Sequence, residues 1–167
     1  METEGDRAAA VLRRQARFDA LTGLANRYEL EEQLTRALEA PEQGRVALLV
    51  ADLDGFKPIN DSYGHAVGDE VLAAVARRLR SCVRDNDTVA RLGGDEFVIL
   101  TRVTAAVEPT ELAARIRKAL RDPVQTSEGV LKVAASLGVA VAELGSDASD
   151  LLRQADRAMY RVKLAQR

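Results

Sequence analysis

Two short apolar runs, Thr88 to Leu92 and Phe97 to Leu100, are separated by only four residues, Gly93-Gly94-Asp95-Glu96. A gap that short is crossed by a tight hairpin, because its glycines take positive φ without steric cost. The hairpin lifts two carboxylates onto a turn. Upstream, Val46 to Ala51 is continuously apolar, as expected of a strand buried on both faces, and it stops abruptly at Asp52. Paired beside that strand, the hairpin would bring Asp95 and Glu96 near Asp52.

Helical spacing recurs around these strands. Ala8 to Phe18 reads as a lead-in helix, and Asn26 caps a second helix carrying Leu30, Leu34 and Leu38, which Pro41 and Gly44 end. A polar, glycine-bearing stretch runs through Gly68. It precedes Leu72, Val75, Leu79 and Val83, again at helical spacing. Glu111 to Leu120 reads as helix, Val130 to Ala142 as strand and Leu151 to Leu164 as a final helix. Strands and helices interleave, so the class is α+β or α/β. No internal repeat divides the 167 residues, a length suited to one domain.

A formal net charge of -2 supplies no overall basic field, which argues against nucleic-acid binding by charge. Any phosphate ligand needs a local cluster. The single cysteine, Cys82, falls in a helical pattern and fits a packing role in a reducing cytosol. No apolar run approaches the roughly 18 residues of a membrane span. Met1 to Ala10 is acidic and alanine-rich rather than signal-like. The expectation is a cytoplasmic chain with no membrane partner.

Asp52 and Asp54 share one side of an extended chain, since strand side chains alternate. Alone, such a pair is equally a solvated or salt-bridged strand end. With Asp95 and Glu96 beside it, it becomes a divalent-ion site. Oxygen ligands from separate elements suit magnesium, which keeps coordination positions for triphosphate oxygens.

Arg91-Leu92-Gly93-Gly94-Asp95-Glu96-Phe97 resembles the signature hairpin of the GGDEF diguanylate cyclases. Asp19-Ala20-Leu21-Thr22-Gly23-Leu24-Ala25-Asn26-Arg27 is similar to that family's opening motif, and Asp52-Leu53-Asp54-Gly55-Phe56-Lys57-Pro58-Ile59-Asn60-Asp61 to its first-strand motif. Gly64-His65 and Gly68-Asp69 continue the match, and Ala155 to Lys163 resembles the family's last helix. The matches keep the family's order from Phe18 to Arg167, leaving residues 1–17 as a lead-in helix and 18–167 as the GGDEF domain.

The resemblance implies roles residue by residue. Asp52 and Asp95, helped by the main-chain carbonyl of Leu53, would hold magnesium or manganese, two ions per GTP. Glu96 would share the metal or proton-handling work. Backbone amides near Gly55 and Phe56 would cradle the triphosphate, with Lys57 adding positive charge. Asn60 and Asp69 would read the guanine. Lys163 and Arg167, one helical turn apart, would reach the phosphates. Gln166 departs from the pattern, standing where a glycine usually precedes that arginine. Arg84 and Asp87, with Arg115 on the following helix, match the family's inhibitory product site. His65, the sole histidine, belongs to a turn and reads as structural rather than as a general base.

The implied fold is α+β: a central, mainly antiparallel sheet flanked by helices, palm-like as in nucleotide cyclases and polymerases, with a ferredoxin-like core. The implied reaction condenses two GTP into cyclic di-GMP plus pyrophosphate in a homodimer, under product feedback and the control of an N-terminal sensor or regulator. The alternative is a catalytically silent cyclic di-GMP receptor, whose usual mark, a degraded hairpin, is absent because Gly93 to Phe97 is intact.

Overall fold

Alternation along one strand organises the molecule, whose computed structural model describes residues 1–166; Arg167 lies outside them. Strand β1, Arg45–Asp54, sends Leu49, Ala51 and Leu53 to one face and Val46, Leu48 and Val50 to the other, all nearly inaccessible to solvent. Burying each of these valines and leucines contributes about 1.5–3 kcal/mol. That is why the strand reads as an unbroken apolar run.

Two layers of helices cover those faces. The lead-in helix α1, Glu4–Arg17, buries none of its residues, whereas α2, Arg27–Leu38, buries Leu30 and Leu34. After β1 come α3, Phe56–Tyr63, and α4, His65–Cys82, then the hairpin of β2, Thr88–Gly93, and β3, Glu96–Val103. Helix α5, Glu108–Arg121, is followed by β4, Val124–Thr126, β5, Gly129–Leu131, β6, Ala134–Val141, and α6, Ala148–Ala165. The main sheet runs β2-β3-β1-β6 and every pairing in it is antiparallel. Helices α3, α4 and α5 pack on the Leu49 face, α2 and α6 on the Leu48 face. The fold is therefore the expected α+β palm.

Two local expectations change. Residues 56–63, within the polar, glycine-bearing stretch to which the sequence pattern assigns no element, are helical: Pro58 sits in the first turn, where a missing N–H costs nothing, and Gly55 and Gly64, at φ of 83° and 88°, bracket the helix. The single strand read over Val130 to Ala142 is two. Gly129–Leu131 pairs with Val124–Thr126 in a separate hairpin, and only Ala134–Val141 joins the main sheet.

Gly138 sets the position of the last helix. A Cβ there would lie 2.0 Å from the Met159 nitrogen and 2.3 Å from the Ala155 carbonyl oxygen, so α6 rests directly on the β6 backbone. Lys163 lies one turn beyond Met159 on the same helix face.

Candidate active site

The alternation that buries Val46, Leu48 and Val50 continues into Asp52 and Asp54, which therefore face α6 rather than α4. Asp52 is directly opposite Glu96 in the β1–β3 ladder, and the Leu53 amide donates to the Asp95 carbonyl at 3.3 Å. Asp52, Asp95 and Glu96 thus gather at one end of the sheet, as the hairpin reading required.

Their charges repel one another. Burial, and then the neighbouring Asp52 charge, push the Asp95 carboxyl above its ordinary range. Burial and the charge of Asp156 do the same to Glu96. Lys163 reaches in from α6 and pairs with Asp52. Burial alone would lower the lysine, but the Asp52, Asp54 and Asp95 carboxylates outweigh it and raise it. The other Asp52 oxygen, Oδ1, is buried without a hydrogen-bond partner among the described residues.

These donors fit a divalent cation. An orphaned carboxylate oxygen and a second, mutually repelled carboxylate both gain from positive charge. The described residues contain no group of three or more His, Cys, Asp or Glu side chains placed to hold an ion. A set this sparse suits magnesium, which takes one or two carboxylates and fills its sphere with water and phosphate oxygens.

A cleft of about 360 Å³ adjoins the carboxylates, lined by Asp54 to Pro58 together with Leu53, Asp95, Lys163 and Gln166. Its floor is the start of α3, whose first amides have no intrahelical partners, and left-handed Gly55 makes the turn into it. Ser136, fully buried, donates its hydroxyl to the Asp54 carboxylate, at 2.9 Å from Oδ2 and 3.0 Å from Oδ1. Asn60 and Asp69 stand on adjacent helices, α3 and α4, the first half-buried and the second exposed.

The hairpin turn is braced from the opening motif. Arg91 donates through Nε to the Gly94 carbonyl at 2.9 Å and through Nη1 to Asp19. Asp19 also accepts from the amide and hydroxyl of Thr22, at 2.9 and 2.7 Å. Burial would raise its carboxyl; the bonds from Thr22 and Arg91 outweigh that and hold it below the ordinary range. Both motifs are visible in the sequence, but the pairing between them is not. Opposite charges in two motifs flanking the same strand were the available signal.

Arg84 and Asp87 come together at the other end of the sheet. Asp87 accepts from the Arg84 amide at 3.0 Å and from Thr101 Oγ1 at 2.8 Å, while the Arg84 guanidinium donates to Thr101 Oγ1 and the Arg102 carbonyl. They line a cleft of about 580 Å³ with Gln33, Arg36, Asn86 and Arg102. Arg115 is turned elsewhere: it donates to the Cys82 carbonyl at 2.8 and 3.1 Å, closing the end of α4, and does not line that cleft. Cys82 is buried, which raises its thiol, and His65 is exposed at the start of α4.

The family model described as "Diguanylate cyclase, GGDEF domain" matches residues 16–167. The bifunctional diguanylate cyclase/cyclic di-GMP phosphodiesterase MucR of Pseudomonas aeruginosa is 41% identical over 94% of the chain, which spans only 23% of MucR. The solved GGDEF domain of TpbB from the same organism superposes with a TM-score of 0.84 at 38% identity, covering 89% of each chain. The coiled coil and GGDEF domain of DgcB from Caulobacter crescentus, solved with cyclic di-GMP, superposes with a TM-score of 0.87 at 30% identity, over 96% of this chain and 87% of that one.

Proposed function

The chain belongs to the GGDEF family of diguanylate cyclase domains, and from that premise we propose that it condenses two GTP molecules into cyclic di-GMP with loss of two pyrophosphates. The observation that carries this reading is the meeting of Asp52, Asp95 and Glu96 beside an amide-floored cleft, with one Asp52 oxygen left unpaired.

The 3′-hydroxyl of one GTP attacks the α-phosphate of the other, and the reciprocal attack closes the ring. The first amides of α3, with Lys57 and Lys163, hold the triphosphate. Asp52, Asp95 and the Leu53 carbonyl hold magnesium or manganese, which when bound offsets the charge developing on the phosphates. Glu96, paired opposite Asp52, takes the proton leaving the 3′-hydroxyl. Asn60 and Asp69 read the guanine.

Each chain holds one GTP, and the product is two-fold symmetric. The active form is therefore a homodimer with the hairpins facing each other. Residues 18–167 carry the catalytic unit. The exposed α1 is the arm through which an N-terminal sensor or regulator acts, since Arg17 pairs with Glu29 and Glu32 at 2.6 and 2.8 Å and ties α1 to α2. Product binding at Arg84 and Asp87 gives feedback inhibition. Arg115 joins that site only by leaving the Cys82 carbonyl.

Incubation with GTP and magnesium, followed by chromatography, tests the reading. Cyclic di-GMP and pyrophosphate support it; intact GTP alongside tight cyclic di-GMP binding would make the chain a receptor instead.

A further inference from the structure

Gly68 is the fourth residue of α4, buried, and in ordinary right-handed geometry, since its φ is not among the positive values found at eight other glycines. Glycine is the poorest helix former after proline, so a glycine here weakens the helix without serving the backbone. Its use must lie in the space it leaves.

That space is filled by one side chain. A Cβ at position 68 would stand 1.8 Å from Asn60 Oδ1 and 3.0 Å from Asn60 Cγ, and next 3.3 Å from Phe56 Cζ. The first distance is far inside any non-bonded contact, so an alanine displaces the Asn60 carboxamide. Asn60 Oδ1 is buried and has no hydrogen-bond partner among the described residues. Shape alone therefore holds the carboxamide, and its position follows whatever occupies residue 68. The seat adjoins Asp69, the next residue of α4.

We propose that Gly68 is a specificity-positioning residue: its missing side chain seats the Asn60 carboxamide beside Asp69, so that the two present a joint edge to guanine. This rests on the reading of Asn60 as a guanine contact. Gly68 itself touches no base.

The test compares Gly68→Ala, Asn60→Ala and the double variant by two readouts: competition of GTP against ATP for the magnesium-supplemented protein, and the thermal midpoint. Gly68→Ala should cut the preference for GTP about tenfold, the scale of a lost base hydrogen bond. Asn60→Ala should do the same, and the double variant no more than either, because both act on one group. Gly68→Ala should lower the midpoint more in the wild-type background than in the Asn60→Ala background, where only the 3.3 Å approach to Phe56 Cζ remains. If Gly68→Ala alone does not fold, recovery of folding in the double variant shows the same coupling, and failure of both to fold overturns the proposal. Unchanged preference in Gly68→Ala, with a lowered one in Asn60→Ala, overturns the role of Gly68 and leaves the Asn60 reading standing. Unchanged preference in Asn60→Ala overturns that reading and the proposal with it.

Discussion

The guanidinium of Arg91 donates to both carboxylate oxygens of Asp19, at 3.1 and 3.3 Å, across 72 residues of chain. Side-chain exposures of 15% and 20% make this a partly buried pair, so its loss costs about 1.5–3 kcal/mol rather than the small value of a surface pair. The same arginine holds the Gly94 carbonyl, so Arg91→Ala should lower both the thermal midpoint and the rate of GTP turnover. The pH dependence has a definite sign. The folded Asp19 carboxyl lies below its ordinary value of 3.8, so its contribution is complete above that pH and is lost as pH falls through the folded value. Denaturant titrations should show a constant stability gap between wild type and Asp19→Asn near neutrality, shrinking below pH 3.8.

Gly138→Ala should be among the most destabilising single-methyl changes in the chain, because the added carbon meets backbone of α6 and not a movable side-chain end. Overpacking of this kind costs about 1–3 kcal/mol or more. A thermal midpoint equal to wild type would mean that α6 does not rest on β6 as described.

Lys163 pairs with Asp52, so it competes with any ion that arrives without GTP. Lys163→Met should bind manganese alone about tenfold more tightly, since a repelling cation is gone and two carboxylates remain. Calorimetry with manganese and no nucleotide measures this. Equal or weaker binding would remove Lys163 from the ion's surroundings.

Arg84→Ala should bring the rate with added cyclic di-GMP close to the rate without it, and inhibition of the wild type should be noncompetitive with GTP. The Arg84 cleft lies at the opposite end of the sheet from the carboxylates. Equal inhibition in wild type and variant would move the product site elsewhere.

Much of the sheet was legible because its signals are local. The apolar run ending at Asp52, the glycines at 93 and 94, and strand alternation together dictate which carboxylates meet. Helix α3 was hidden because Pro58 and two flanking glycines look like loop chemistry unless proline is counted from the helix start. The break between β5 and β6 carries neither glycine nor proline, so nothing in 130–142 marked it. Contacts between distant elements left no periodic trace. Lys163 on Asp52 spans 111 residues, and Arg115 on the Cys82 carbonyl spans 33. The Asn60 seat was unreadable for the same reason, although a glycine inside a helical run was a visible oddity.

The proposed catalytic centre is the meeting of the hairpin carboxylates with the end of β1. Cyclic di-GMP formed from GTP at saturating magnesium, compared between wild type and Asp95→Ala, tests it most directly. Asp95 follows Gly93 and Gly94, which take the positive φ angles of the turn, so Asp95→Ala should fold with a wild-type circular dichroism spectrum and fall at least about 100-fold in rate. Synthesis by folded Asp95→Ala at near the wild-type rate would contradict the account.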